Sequence, residues 1–366
     1  MFPKLRFKEF DGDWLKLKYK DVLTIKYGKD HKSLNDGDIP VYGTGGLMRH
    51  VNKYLYDGES ILIGRKGTID KPKYINEKFW TVDTLFYTEI EESIVPLFLY
   101  QHALEVNWLG LNEATGVPSL NTTSIYNIDI SIPSKEEQTK IASFLSNVDE
   151  KISQLTQKLE LLSQYKQGMM QKLFSQQIRF RADDGSEFGE WASEKISKVF
   201  TNKSKSFNPL LNESLPCIEL EHLSQNTGQI LGTVNSSDQQ STKNLFEPNS
   251  VLYGKLRPYL RKFAKPQFKG VCSSEIWVLT GLKISNDYLF QFVQSEQFTE
   301  LTNIQSGSKM PRADWNVIAD AEIEFPCLGE QTKIANFLSS IDQKIEVVAQ
   351  QIEQAKQWKK GLLQQM

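Results

Sequence analysis

A 16-residue segment occurs twice in this 366-residue chain. EQTKIASFLSNVDEKI (137–152) returns as EQTKIANFLSSIDQKI (330–345), with 12 identical positions at a constant separation of 193 residues. Weaker matches precede each copy, and the clearest of them pairs Ser60–Arg65 with Ser250–Lys255. A repeat at this spacing means that one structural plan is used twice. The sequence therefore predicts two divergent domains, each followed by a closely similar segment.

Each repeated segment opens a long amphipathic helix. Apolar residues recur in alternating steps of four and three over more than four heptads, which is the spacing of a coiled-coil seam. The seam begins with Ile141, Leu145, Val148 and Ile152 in the first helix and with Ile334, Leu338, Ile341 and Ile345 in the second. Matching registers predict that the two helices pair, and the short link after Leu173 favours an antiparallel pair with an approximate two-fold axis. Packing of each helix on its own globular domain is the alternative.

Polar residues on these helices carry further predictions. Ser134 and Glu137 have the spacing of a capping box at the start of the first helix. Asp149 and Asp342 each precede a lysine by two residues, a superficially nuclease-like spacing. Residues two apart on a helix point to different faces, so we expect both to be solvated charges.

Both helices carry a lysine at a seam position and a glycine two residues later, namely Lys166 with Gly168 and Lys359 with Gly361. A glycine inside a helix costs about 1 kcal/mol relative to alanine. Its repetition indicates a close approach, either between the helices or to a partner; fraying of the helix ends is the alternative.

The domain limits follow from the repeat. We expect globular domains at 1–133 and 178–326 and long helices at 134–177 and 327–366. Short β-branched or aromatic segments bounded by turn residues predict strands at Asp38–Tyr42, Ser60–Ile63, Phe79–Tyr87 and Ile125–Ile132 in the first domain, and at Ser250–Tyr253, Ser273–Leu279 and Ile318–Phe325 in the second. Pro96–Val106 and Asp287–Thr302 look helical. The predicted fold class is α+β.

A search for catalytic chemistry finds none. Gly43–Gly46 lacks the lysine and hydroxyl residue of a phosphate loop, the four histidines are scattered, and the three cysteines have no zinc spacing. No apolar run is long enough to span a membrane and no secretory signal is visible. We expect a soluble, cytoplasmic, non-enzymatic chain that holds no metal or cofactor itself.

Binding remains as the function. Any face that binds nucleic acid must be a local patch of positive charge, because the net charge of the chain is only −2. Residues 251–270 combine cations with aromatic residues and contain no carboxylate. Such a stretch can contact phosphates. The candidate DNA-binding residues are Arg65, Lys66, Lys71 and Lys73 in the first domain and Lys255, Arg257, Arg261, Lys262 and Lys265 in the second.

The repeated pattern, (I/F)-P-x-x-x-E-Q-x-K-I-A-x-F-L-x-x-(V/I)-D-x-K-I after each divergent domain, resembles the DNA-specificity subunit of type I restriction–modification systems. The resemblance covers nearly the whole chain. It implies that each domain reads one half of a bipartite double-stranded DNA target and that the helices set the spacer between the halves. Half-sites about one helical turn apart, roughly 34 Å, suit this arrangement.

The resemblance also implies the partners. Two methyltransferase subunits would dock on the long helices and methylate adenine, and restriction/translocase subunits would cleave DNA with ATP. S-adenosylmethionine, ATP and magnesium would then belong to those partners. Three alternatives stay open: the recognition subunit of a related fused or type II-like system, a non-catalytic coiled-coil nucleic-acid adaptor, and an enzyme with an unrecognised motif.

Overall fold

A computed structural model describes residues 4–304 and 310–365, so the outermost predicted limits at 1 and 366 lie outside the described residues. The chain divides into two compact units. The first unit comprises residues up to Gln157 together with those from Ala349 onward, and the second comprises Lys158–Val348. Each unit therefore holds one globular domain and a portion of both long helices.

The first unit is built on a six-stranded sheet with strand order β2-β7-β5-β6-β3-β4, beside a separate β1-β8 pair. The elements up to the first long helix are β1 Leu15–Lys18, β2 Leu23–Tyr27, β3 Ile39–Gly43, β4 Gly46–Val51, β5 Tyr56–Gly64, β6 Lys73–Thr81, β7 Leu85–Ile90, α1 Pro96–Glu105, α2 Thr122–Tyr126, β8 Asp129–Ile132 and α3 Lys135–Phe174. Strand β5 is central because its run Ile61–Ile63 is apolar on both faces and is buried on both.

The second unit repeats this plan with two smaller sheets, ordered β10-β18-β15-β16 and β11-β14-β17-β12-β13, and a β19-β9 pair. Its strands are β9 Ala192–Lys195, β10 Phe200–Thr201, β11 Ser206–Phe207, β12 Pro216–Ile218, β13 Val234–Asn235, β14 Lys243–Phe246, β15 Val251–Gly254, β16 Phe263–Ala264, β17 Gly270–Cys272, β18 Ile276–Gly281 and β19 Glu322–Phe325. Its helices are α4 Ile196–Val199, α5 Asn286–Phe292, α6 Glu296–Asn303, α7 Trp315–Asp320 and α8 Leu328–Leu363. Strands β18-β15-β16 correspond to β7-β5-β6, and both domains are mixed helix and sheet, as predicted.

Several predicted segments proved to be two elements. Phe79–Tyr87 covers the end of β6, a turn and the start of β7, because the Leu85 N–H donates to the Val82 carbonyl at 3.0 Å and reverses the chain. Asp287–Thr302 is interrupted where the Ser295 side chain caps α6. Ile125–Ile132 and Ile318–Phe325 each begin in a short helix before the strand.

The long helices pair antiparallel within each unit. In the first unit, Leu362 near the end of α8 shares a core with Ile141 and Leu145 near the start of α3. In the second unit, Leu173 near the end of α3 shares a core with Leu338 near the start of α8. These cores also contain residues of the globular domain, so the helices pack on each other and on their domains at once.

The start of each long helix is fixed by a buried carboxylate. The Glu137 N–H donates to Ser134 Oγ at 3.3 Å, which is half of the predicted capping box. The other half is wrong, because the Glu137 carboxylate accepts two hydrogen bonds of 2.7 Å from Arg6. Glu330, its counterpart in α8, is bound in the same way by Arg179. This ion pair ties the segment before each domain to the helix that follows it.

The glutamine after each glutamate adds a second tie. Gln138 accepts from the Val95 N–H at 2.8 Å and donates to the Pro133 carbonyl at 3.0 Å. Gln331 accepts from the Ser285 N–H at 2.8 Å and donates to the Pro326 carbonyl at 2.8 Å. The repeated Glu-Gln dipeptide is thus the anchor that joins a domain to its helix. Within the described residues, none of the helices has the length and apolar character needed to cross a membrane.

Candidate nucleic-acid interface

The segment after the central strand has the same geometry in both domains. After β5, the Arg65 N–H donates to the Thr84 carbonyl at 2.8 Å, and the Arg65 carbonyl accepts from the Leu120 N–H at 2.9 Å. After β15, the Lys255 N–H donates to the Glu275 carbonyl at 2.9 Å, and the Lys255 carbonyl accepts from the Ala313 N–H at 2.9 Å. In each domain a second segment is therefore bonded alongside the end of the central strand.

Two residues further along the match continues. The Gly67 N–H donates to the Pro118 carbonyl at 2.9 Å, and the Arg257 N–H donates to the Pro311 carbonyl at 2.8 Å. We name residues 65–67 with 118–120 the first loop platform, and residues 255–257 with 311–313 the second. Sequence reasoning missed the second segment of each platform, although its two prolines keep the 193-residue spacing of the repeat.

The cations predicted in the first domain lie on or beside the first loop platform. The Arg65 guanidinium sits 5.4 Å from the Tyr27 ring centroid and donates to the Asp83 carbonyl at 3.1 Å. Lys66 and Lys71 are exposed and Lys73 is half-buried. These three ammonium groups have no hydrogen-bond or ion-pair partner among the described residues, so their charge is available to a ligand.

The cations predicted in the second domain divide into two groups. Three are held by the fold: Arg261 donates to the Gln294 carbonyl, Lys262 donates to the Leu220 carbonyl at 2.6 Å, and Lys265 pairs with Asp287. Lys255 is half-buried and Arg257 is exposed, and the part of the chain that the structure describes contains no polar partner for either side chain.

The aromatic residues of the 251–270 segment are mostly core. Tyr253 and Phe263 are each only 1% exposed, whereas Tyr259 is 55% exposed beside Arg257. The accessible part of the basic segment is therefore narrower than the sequence indicates, and it centres on the second loop platform.

A lysine, an aspartate and a glutamine meet at the long helices of each unit. In the first unit, Lys359 Nζ of α8 lies 2.7 Å from Asp149 Oδ1 of α3, and Gln101 Nε2 of α1 donates to the same carboxylate at 3.0 Å. In the second unit, Lys166 Nζ of α3 lies 2.5 Å from Asp342 Oδ1 of α8. The two aspartate side chains are 41% and 34% exposed, so they are partly solvated as predicted, but each is also paired with a lysine that the prediction did not foresee.

The electrostatics of the second cluster follow from burial. Gln291 Nε2 donates to Asp342 at 3.1 Å, and Gln294 Oε1 accepts from Lys166 at 2.7 Å. Burial lowers the pKa of Lys166, and the Asp342 carboxylate opposes that shift. These clusters join a helix pair to its domain with polar contacts.

The seam residues are core residues. Ile141, Leu145, Val148, Ile334, Leu338 and Ile341 are buried, and Ile152 and Ile345 are half-buried. Because these side chains are covered within their own units, a partner would have to dock on the outer faces of the helices.

The outer faces carry a repeated feature of their own. Tyr165 is 51% exposed and Trp358, at the equivalent place, is 53% exposed, with its ring edge-on to Phe144 of α3 at 5.8 Å between centroids. Three residues after each aromatic residue comes the helical glycine, and a Cβ added at Gly168 or Gly361 would meet no described atom within 4 Å. The described helices therefore make no close approach to each other at these glycines. Close approach of a partner and fraying of the helix ends both stay open as explanations.

Other candidate chemistry is accounted for by the fold. Gly43–Gly46 is the turn between β3 and β4, where Gly46 has φ of 119°. His102 is half-buried against Tyr19, with 2.9 Å between the hydroxyl and Nδ1, and desolvation lowers its pKa to about 4. Among the described residues no three His, Cys, Asp or Glu side chains are grouped as a metal site.

Comparison with known proteins decides the family. The profile of the type I restriction modification DNA specificity domain matches residues 11–164 and 190–357. The chain belongs to this DNA specificity family. Each match takes in one globular domain and most of the long helix that follows it. The type I specificity domain is therefore present in two copies, in agreement with the repeat.

Relatives of this specificity subunit align with most of the chain. The EcoDI specificity subunit of Escherichia coli is 23% identical, with 94% of this chain and 84% of the relative covered. The MjaVIII specificity subunit of Methanocaldococcus jannaschii is 25% identical, with 84% and 76% covered. Both are named as specificity subunits of type I restriction enzymes, which is consistent with a non-catalytic role.

Solved structures show the same fold. The S subunit from M. genitalium superimposes with a TM-score of 0.67 at 14% identity and covers 100% of this chain and 98% of its own. A chain from a study of assembly and conformational transition in the type I R-M system gives a TM-score of 0.55 at 12% identity, with 97% of each chain covered. The function of the chain is that of a specificity subunit of a type I restriction–modification system.

Proposed function

We propose that each globular domain reads one half of a bipartite double-stranded DNA target. The supporting observation is the loop platform, which has the same backbone bonds in both domains while the side chains on it differ. A constant frame with different side chains is what two half-sites of different sequence require. The proposed division of labour follows the predicted segments, with recognition at 1–133 and 178–326 and spacing at 134–177 and 327–366.

The free cations of each domain are the proposed DNA contacts. In the first domain these are Lys66, Lys71 and Lys73, with Arg65 held over Tyr27 beside them. In the second domain they are Lys255 and Arg257. Contacts to phosphates position a protein on DNA and make binding depend on salt, and contacts to base edges give sequence preference.

The outer faces of the long helices are the proposed docking surfaces for two methyltransferase subunits. An exposed aromatic side chain with a nearby glycine would let a partner helix pack closely, and this pairing occurs once on each helix, at Tyr165 with Gly168 and at Trp358 with Gly361. Adenine methylation with S-adenosylmethionine, and DNA cleavage by restriction/translocase subunits with ATP and magnesium, would take place on the partners.

The test is to co-express the chain with the methyltransferase subunit encoded beside it and to map N6-methyladenine across the host genome. Methylation at a single bipartite motif, lost when this chain is omitted, is the expected result. Methylation at one continuous motif would favour a differently organised modification system. A soluble complex that adds no methylation would overturn the proposal and favour a nucleic-acid adaptor without a modification role.

The spacing role has its own test. Insertion of one heptad into the exposed middle of α3, with a matching insertion in α8, should change the number of base pairs between the half-sites while leaving both half-site sequences unaltered. The same genome mapping reads this out. A changed half-site sequence with an unchanged spacer would contradict the role of the helices.

A further inference from the structure

Arg257 occupies a backbone conformation that an arginine rarely adopts. Its φ and ψ are 51° and 61°, in the left-handed region, and the residue precedes a proline. The residue before a proline is pushed towards extended conformations, so a helical-type geometry there is opposed twice. The conformation is held by the bond from the Arg257 N–H to the Pro311 carbonyl and by the Leu260 N–H, which donates to the Arg257 carbonyl at 2.9 Å.

The fold itself explains the conformation but not the arginine. Gly67 occupies the equivalent position of the first loop platform, with φ of 91° and the equivalent bond to Pro118. A positive φ is thus part of the platform in both domains. Glycine adopts it without steric cost, and the second domain has a side chain there instead.

Arg261, in the same loop, is an arginine whose role is structural, and it serves as a comparison for Arg257. Its φ of 47° is also left-handed, but its guanidinium donates to the Gln294 carbonyl and lies 3.7 Å from Glu296. Arg257 differs in that its exposed guanidinium has neither kind of contact to the described residues. Packing and internal bonding therefore account for Arg261, whereas the residues that the structure describes give no such account of Arg257.

The surroundings of Arg257 favour an anionic or acceptor-rich ligand. Lys255 lies two residues before it and the exposed ring of Tyr259 two residues after it. Two carboxylates lie beside the platform and both are engaged: Glu275 by Arg312, with Nε 3.1 Å from Oε2, and Asp314 by the Asn316 N–H at 2.9 Å. The charge presented at the second loop platform is therefore positive.

We infer that Arg257 contacts the DNA of the second half-site, its guanidinium donating to a pair of acceptors. This inference rests on the proposed function. Two sources offer such a pair: the O6 and N7 atoms of a guanine in the major groove, and the oxygens of a phosphate. A strained backbone conformation persists where function requires a side chain that the fold itself does not require.

The experiment compares Arg257→Gly with Arg261→Gly in the full chain bound to its methyltransferase subunits. Arg257→Gly restores the residue type of the first domain, so its melting temperature should stay within about 2 °C of the parent. Its affinity for a duplex carrying the motif should fall about 10- to 100-fold. Arg261→Gly should lower the melting temperature because it removes internal contacts.

Arg257→Lys separates the two sources of acceptors. Lysine keeps the charge and loses the paired donors, so a guanine contact predicts relaxed preference at one base pair of the second half-site. A phosphate contact predicts unchanged preference and a nearly unchanged slope of affinity against salt. Either result supports a contact to DNA.

The inference fails if Arg257→Gly binds the duplex as the parent does, or if it unfolds as Arg261→Gly does. Failure of the proposed function is distinguishable, since the parent complex itself would then bind the duplex without sequence preference. The first-domain half-site is the internal control, because its recognition should be unaffected by all three variants.

Discussion

Lys166 Nζ lies 2.5 Å from Asp342 Oδ1, which joins the end of one long helix to the beginning of the other within the second unit. The lysine is 8% exposed and occupies a position that the heptad pattern assigns to an apolar residue. Lys359 and Asp149 make the equivalent pair in the first unit with the helices exchanged. A polar residue at such a position favours one register and orientation over others at some cost in stability.

We expect Asp342→Ala to destabilise the second unit by roughly 2–4 kcal/mol, because the buried ammonium group of Lys166 loses its counter-charge and, among the described residues, keeps Gln294 as its partner. Lys166→Met should cost less, since methionine fills the same space without a charge. The double variant should be more stable than Asp342→Ala alone. Urea denaturation of the four proteins measures the coupling, and additive effects would show that the two residues act independently.

Arg179→Ala should also be strongly destabilising. Glu330 is fully buried, and its hydrogen bonds raise the pKa of Arg179. Removal of the arginine leaves the carboxylate with the Trp191 Nε1–H as its remaining donor, at 3.1 Å, and should cost about 3 kcal/mol. Arg181→Ala is the matched control, because its pair with Glu187 is exposed and should contribute less than about 1 kcal/mol. Equal melting temperatures for the two variants would rule out an anchoring role for Glu330.

Stability should depend on pH through His102. Burial lowers the pKa of this imidazole to about 4, below the ordinary 6.5, so the unfolded chain binds the proton more readily. The contribution is fully present above pH 6.5 and is lost as pH falls towards 4, by at most about 3 kcal/mol. His102→Gln, which cannot be protonated in this range, should lose less stability between pH 7 and 4.5. The midpoint of urea unfolding at each pH measures this, and parallel pH profiles of parent and variant would refute it.

The candidate DNA-binding cations should divide into residues that bind DNA and residues that stabilise the fold. Lys71→Ala removes an exposed ammonium group without a described partner and should weaken DNA binding, lowering the salt slope by about one if it meets a phosphate. Its melting temperature should be unchanged. Lys262→Ala removes the bond to the Leu220 carbonyl and should lower the melting temperature. Fluorescence anisotropy at several salt concentrations checks the first result, and a salt slope equal to that of the parent would exclude Lys71 from the interface.

Gly168→Ala should stabilise the isolated chain by about 0.5–1 kcal/mol, because a Cβ there meets open space and alanine favours helix. The same change should weaken association with the methyltransferase subunit if a partner helix packs against that glycine. Thermal unfolding and a pull-down of the co-expressed subunit measure the two effects. Ser163→Ala, on an exposed position of the same helix, is the control for changes that leave the docking surface intact.

The repeat was sufficient to predict the architecture. The heptad spacing and its duplication predicted two long helices that pair, and the short link after Leu173 predicted that the pair is antiparallel. The matching segments Ser60–Arg65 and Ser250–Lys255 predicted a strand in each domain. Apolar periodicity is a local property that short windows of sequence record. The strand limits were less accurate where a turn such as Val82–Leu85 lies between two apolar strands, because the apolar run continues through it.

The polar contacts could not be predicted because they join distant parts of the chain. Asp149 and Lys359 are 210 residues apart, and nothing near either residue indicates the other. Lys262 and Lys265 are bonded to the loop at Leu220 and to α5. Only the structure could therefore show that these two lysines are not free to bind a ligand. The duplication does contain a usable signal, since Asp149 and Asp342 keep the same separation as the repeat.

The discontinuity of the first unit has a consequence for biosynthesis. Leu362 completes the core around Ile141 and Leu145, yet it is translated after the whole of the second unit. At about 5–20 residues per second the ribosome needs roughly 10–40 seconds to bridge that interval. The first-made domain therefore waits with an apolar helix face uncovered, while the later-made, continuous unit can close before it.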